Sequence, residues 1–149
     1  MSQSVQVVFT RSWLPGSLLI RAVTWSRWSH CALVDGEEVI EAAMFGGVRR
    51  RPLAELLAAN SAHRIEHLPV QDAAATIAAA RSQLGKGYDW LGALGLALRG
   101  NWQNRQAWFC SELIAWAADH AGSPWFRRNR IRRVTPEHLW MLAPFERTV

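Results

Sequence analysis

The chain has 149 residues, half of them apolar, and 17 Lys and Arg against 12 Asp and Glu give a formal charge of +5. That length and apolar content are enough for one domain with a real core, which we expect to span residues 1–149. Two cysteines exclude a disulfide framework, and the lack of an apolar run of ~18 residues excludes a membrane-spanning helix.

The N-terminus has no positive stretch followed by an apolar run, so no signal peptide is expected. The default is a cytoplasmic protein, with phage association or delivery to the cell envelope by other means left open. The basic balance predicts affinity for anions, whether phosphate backbones, lipid headgroups or wall polymers. Nine tryptophans are expected to fill core and pocket walls.

Val5 to Thr10 is β-branched and apolar, a strand. Pro15-Gly16 breaks it, and Ser17 caps a short helix through Leu18, Leu19, Ala22 and Val23. Ser29 to Val34 and Val39 to Met44 read as a hairpin turning at Asp35-Gly36. A two-residue loop puts His30 opposite Glu41, and a four-residue loop puts Glu41 opposite Ala32, diagonal to His30. Both place His30 and Glu41 on one face, because strand side chains alternate with a period of two. Cys31 then points to the other face, into the core.

Gly46-Gly47 ends the hairpin, and Arg49-Arg50-Arg51 leads into a helix begun by Pro52 and stopped by Asn60. Arg64 to Leu68 reads as a strand. Pro69 separates it from an alanine-rich helix over Asp72 to Leu84, and Lys86 to Tyr88 forms a loop. Asp89 caps an apolar helix from Trp90 to Leu98, and Gly100 to Asn104 links it to the next element. A buried helix then starts at or near Cys110 and stops at Gly122, with Leu113, Trp116 and Ala117 at helical spacing. A basic loop, Arg127 to Arg133, precedes a short helix from Thr135-Pro136 to Leu142.

A thiol at a helix N-terminus meets unpaired N–H groups and the positive end of the dipole, which favour the thiolate. Cys110 is therefore the candidate nucleophile and His30 its candidate base. A carboxylate on the same face, Glu41, would fix the imidazole tautomer and stabilise its charged form.

These segments resemble the papain-like NlpC-type cysteine peptidases. Trp25-Ser26-Arg27-Trp28-Ser29-His30, Val39-Ile40-Glu41-Ala42, Gly87-Tyr88-Asp89-Trp90, Phe109-Cys110-Ser111-Glu112-Leu113 and Thr135-Pro136 are similar, in this order, to segments of their circularly permuted branch. That branch includes the YiiX/YebB-like proteins and is related to the lecithin:retinol acyltransferase-like enzymes. The resemblance implies an α+β fold with the histidine-bearing antiparallel sheet before the cysteine-bearing helix. It implies a catalytic set of Cys110, His30, Glu41 and Tyr88, with no cofactor and no metal. The implied activity is a cysteine peptidase or amidase cleaving a cell-wall peptide or small N-acyl compound through an acyl-enzyme. The alternatives are a lipid hydrolase or acyltransferase on the same residues, or a basic nucleic-acid-binding module without catalysis.

Other features receive plainer readings. His63 and His67 share a face but lack a third ligand, so zinc is set aside. His120 lies on the order of 15 Å down the helix from Cys110 and interacts with its C-terminus. His138 is a surface residue. The arginine runs are solvated faces, compatible with a wall polymer or lipid headgroup, and nucleic acid is the lesser reading.

Overall fold

The computed structural model describes residues 3–43, 46–88 and 107–144. Its centre is a five-stranded antiparallel sheet in the order β4-β3-β2-β1-β5, built from β1 (Gln3–Arg11), β2 (His30–Asp35), β3 (Glu38–Ala43), β4 (Gly47–Pro52) and β5 (Ala62–Val70). Helix α1 (Pro15–Thr24) joins β1 to β2, and α2 (Leu53–Ala58) joins β4 to β5. After α3 (Ala73–Arg81) come two-residue strands β6 (Gly87–Tyr88) and β7 (Ala107–Trp108), which pair in parallel. Helix α4 (Cys110–His120), a 3-10 turn (Arg128–Arg133) and α5 (Pro136–Trp140) complete the described chain.

Alternation along the strands sorts the apolar residues onto two faces. Val5, Val7, Phe9, Cys31, Leu33 and Ile40 pack on one face against Leu113, Ile114, Ala117 and Ala118 of α4 and Ala79 and Ala80 of α3. Val8, Ala32, Val34 and Val39 form the other face, covered by Leu56 of α2. At about 25 cal/mol per Å2 of apolar area buried, the larger face holds α4 in place and so fixes where its first residue points.

The β2–β3 register matches the longer-loop alternative. Leu33 faces Ile40, Val34 faces Val39, and Asp35 itself faces Glu38, so the turn proper is Gly36-Glu37 with Gly36 at φ +66°. Glu41 is thereby diagonal to His30.

Several sequence expectations are corrected. Pro15 opens α1 at its first turn instead of breaking the chain, and Ser17 lies inside the helix. Arg49 to Arg51 are not a lead-in but part of β4, with Glu41 paired directly to Arg49. Pro52 closes that strand and is the cap residue before α2. β5 extends through Pro69, which an edge strand tolerates because no ladder donor is needed on its open side. The alanine-rich helix stops at Arg81, the basic loop contains the 3-10 turn, and the last helix stops at Trp140. The expected Trp90–Leu98 helix and the Gly100–Asn104 link lie outside the described residues.

Candidate functional site

Cys110 is the first residue of α4, after Phe109 in extended conformation (ψ 150°), and the Leu113 N–H returns to the Phe109 carbonyl at 3.1 Å. A first-turn thiol has unpaired backbone N–H groups around it, and the burial of Leu113, Ile114 and Ala117 leaves it little room to move. Cys110 is 2 % exposed and lies at the wall of a cavity of about 420 Å3. His30, Glu41, Tyr88, Ser17 and Ile20 share that wall.

His30 Nε2 lies 2.8 Å from Glu41 Oε2. Glu41 Oε1 accepts from Arg49 Nε at 3.0 Å, and Arg51 Nη1 stands 3.9 Å away. Burial alone would raise the Glu41 carboxyl, but hydrogen bonds and charge from His30 and Arg49 outweigh it and hold the group down to about 2.

The Cys110 thiol lines the same cavity wall as this imidazole and acts on it electrostatically. With Nε2 taken by Glu41, Nδ1 is the nitrogen left for it. Burial works against a charged imidazole, yet Cys110 and Glu41 outweigh it and raise His30 to about 10. Burial likewise opposes a charged thiol at Cys110, but Cys31, His30 and the imidazolium charge bring it well below the usual thiol range. The geometry is a hydrogen-bonded His30–Glu41 pair with Cys110 on the same cavity wall.

Cys31 is fully buried in the core, as expected from the alternation, but it is not idle there. It neighbours Cys110 and helps to lower that thiol. Burial and the neighbouring Cys110 push the Cys31 thiol well up, so of the two thiols it is the one that stays protonated. Tyr88 reaches the cavity wall with its ring 5.9 Å from that of Phe109. The β6 loop is pinned to β4 by Val48 N–H to the Lys86 carbonyl (2.7 Å) and Gly85 N–H to the Val48 carbonyl (2.9 Å).

The structure brings Cys110, His30, Glu41 and Tyr88 to one cavity. Sequence reasoning missed Arg49, Arg51 and the effect of Cys31 on Cys110. The arginines were legible only once β4 is a strand beside Glu41, because their period-two spacing then puts Arg49 and Arg51 on its side of the sheet. Elsewhere, His67 binds Ser4 and Gln6 side chains at 3.2 and 3.4 Å. His120 stacks on Trp116 with centroids 4.8 Å apart. His138 is exposed as expected, but its Nδ1 also accepts from the Thr135 N–H at 2.9 Å and so caps α5.

No family model matches this chain, and no curated protein does. Among solved structures, one is the metalloprotein YiiX from Escherichia coli O157:H7, a DUF1105 protein, with a TM-score of 0.60 at 20 % identity. The fold resembles that of YiiX. The match covers 80 % of this chain and 66 % of YiiX, just under two thirds of that protein's length.

This finding supports a mixed α+β fold with an antiparallel sheet and overturns the identification as an NlpC-type cysteine peptidase. The structural relative is described as a metalloprotein, not as a peptidase. The hydrolase, thiol-protease and amidase readings fall with it, and so does the lipid-acyl alternative drawn from the same resemblance. The physical reason lies in the motifs themselves. Short segments placing a cysteine at a helix start beside a strand histidine report local geometry, and several chemistries share that geometry. Part of the arginine charge behind the nucleic-acid alternative is taken up within the fold. Arg49 and Arg51 are spent on Glu41, Arg50 on Asp35 and Glu38, and Arg128 on Asp119.

The residues here do not fit a metal centre either. Both Glu41 oxygens and His30 Nε2 are occupied by one another and by Arg49, and two guanidinium groups beside the carboxylate repel a cation. Among the described residues no group of three or more His, Cys, Asp or Glu is arranged to hold a metal ion.

Proposed function

We propose that this chain works through Cys110 as a nucleophilic thiolate, which forms a covalent bond with an electrophilic group of a small molecule entering the cavity. The observation that supports this reading is Cys110, at the first residue of α4, on one cavity wall with the hydrogen-bonded His30–Glu41 pair. A buried thiol without partners is an inert small hydrophobe, whereas a thiolate beside an imidazolium is reactive at neutral pH.

In this reading the Cys110 sulfur supplies the electron pair. His30 holds the thiolate charge through Nδ1 and carries a proton within reach of whatever bonds to sulfur. Glu41 fixes the ring by accepting from Nε2–H and balances the imidazolium charge. Tyr88 bounds the cavity beside Phe109. Arg49 and Arg51 line the same cavity and give it a positive field, which favours an anionic or polar-headed molecule over a cationic one.

The test is limited labelling with iodoacetamide at pH 7, with peptide mass analysis to locate the label. Cys110 carries the label while Cys31, raised and fully buried, stays free. Labelling of Cys31 first, or of neither thiol while the protein is folded, would remove the reading.

A further inference from the structure

Helix α1 has its faces reversed. A surface helix normally turns its polar stripe to solvent. The outward positions of α1, spaced i, i+3, i+4 and i+7, are Pro15, Leu18, Leu19 and Ala22, all exposed. Its polar Ser17 points inward instead, donating to Ser29 Oγ at 2.7 Å and accepting from Ser12 N–H at 3.1 Å. Trp13 (76 % exposed) and Leu14 (68 %) extend the apolar stripe before the helix, and Trp25 (90 %) extends it after.

Trp25 sharpens the point. It ends α1 in the left-handed region at φ 52°, the position where glycine is the ordinary residue. A bulky side chain there is strained, and among the described residues its ring gains little packing to compensate. Packing therefore gives no reason for a tryptophan at this position.

The chain segment carrying the stripe is basic. No acidic residue occurs before Asp35, while Arg11, Arg21 and Arg27 fall in that stretch. Neither Arg21 nor Arg27 is in an ion pair among the described residues, and Arg21 Nε is buried without a partner. The Glu137 carboxylate accepts from Arg27 N–H at 2.9 Å and from Ser26 Oγ at 3.4 Å. Exposed Trp and Leu with the exposed Arg27 beside them fit the interface of an anionic lipid bilayer, where indole rings sit at headgroup depth and arginines meet phosphates.

We propose that α1, with Trp13, Leu14 and Trp25, docks this protein on anionic lipid surfaces. The inner side of the same helix, through Gly16, Ser17 and Ile20, walls the Cys110 cavity. Docking therefore brings that cavity to the membrane. The proposal does not depend on the reactivity of Cys110, because its residues are different ones.

The experiment is co-sedimentation with vesicles of equimolar phosphatidylglycerol and phosphatidylcholine, against vesicles of phosphatidylcholine alone. The full chain pellets with the anionic vesicles and not with the neutral ones, and high salt weakens it. Leu19→Ser lowers binding about tenfold, and Arg21→Gln or Arg27→Gln about fivefold each. Trp25→Gly is the decisive variant: it relieves the left-handed strain, so it melts no lower than wild type, yet it binds about tenfold less. Cys110→Ala binds as wild type, which separates this proposal from the thiolate reading. Failure of the wild type to pellet, equal pelleting on neutral vesicles, or undiminished binding by Trp25→Gly overturns it. Concentration-dependent dimerisation abolished by Leu19→Ser, without vesicle binding, gives the face to a second copy instead.

Discussion

His30 Nε2 and Glu41 Oε2 lie 2.8 Å apart, although their strands leave them diagonal rather than opposite. The diagonal matters because it leaves Glu41 directly across from Arg49 on the other neighbouring strand. One buried carboxylate thus serves an imidazolium and a guanidinium at once. Neither partner alone offsets the cost of burying it.

Replacing Glu41 by Gln tests that balance. Breaking a buried ion pair by removing one partner costs about 3–5 kcal/mol. We expect Glu41→Gln near the lower end, since the amide oxygen still accepts one bond. For a chain of this size that is a fall in melting temperature of about 6–12 °C. The His30 proton resonance should then titrate at lower pH than in wild type. An unchanged melting temperature would mean that the carboxylate is not holding the two cations.

Stability should depend on pH in a characteristic way. His30 is raised to about 10, so its contribution is complete below 6.5 and is lost as pH climbs toward 10. Cys110 is depressed, so its contribution is complete above 9.0 and is lost as pH falls below that. Between 6.5 and 9.0 the two slopes oppose each other, and stability is level. Above 9.0 it falls, with the raised Cys31 thiol adding to the loss. Toward acid it falls as well, and Glu41 adds its share between 4.5 and about 2. In Cys110→Ala the fall toward acid should shrink, because the depressed thiol behind most of it is gone. Urea melts across pH 4 to 10 on both proteins read this out.

Gly47 is the joint between β4 and the Tyr88 loop. It sits at φ +66°, and an added Cβ would overlap the Lys86 carbonyl that Val48 binds. Gly47→Ala should therefore cost about 2–3 kcal/mol and loosen the wall carrying Tyr88. Hydrogen exchange at Val48 measures it, with faster exchange expected than in wild type.

The part of the site most legible in the sequence was the part set by parity. His30 and Glu41 share a face under either even-numbered loop, so their meeting survived a register that the turn residues left open. Cys110 was placed at a helix start by apolar spacing and the Gly122 stop, and it is there. β4 was hidden because Arg49, Arg50 and Arg51 read as solvated charge. Only the neighbouring Glu41 makes their strand conformation worthwhile. Pro15 looked like a break because a proline suits a first helical turn only when the residues after it, here Ser17 to Thr24, go on to form the helix. Cys31 was read correctly as core, but its effect on Cys110 comes through tertiary packing that no local pattern encodes. The reaction was the least legible feature, since the short motifs specify positions of groups and not the molecule they act upon.

The central claim is that Cys110 is already ionised at neutral pH, and the most direct measurement is its alkylation rate by iodoacetamide as a function of pH. An ordinary thiol, with a pKa of about 8.5, reacts roughly tenfold faster per pH unit below that value. We predict a rate in wild type that is level from pH 6 to 8, and in His30→Ala a slower rate at pH 6 that climbs with pH. A wild-type rate climbing about tenfold per unit over that range, matching His30→Ala, would contradict the account.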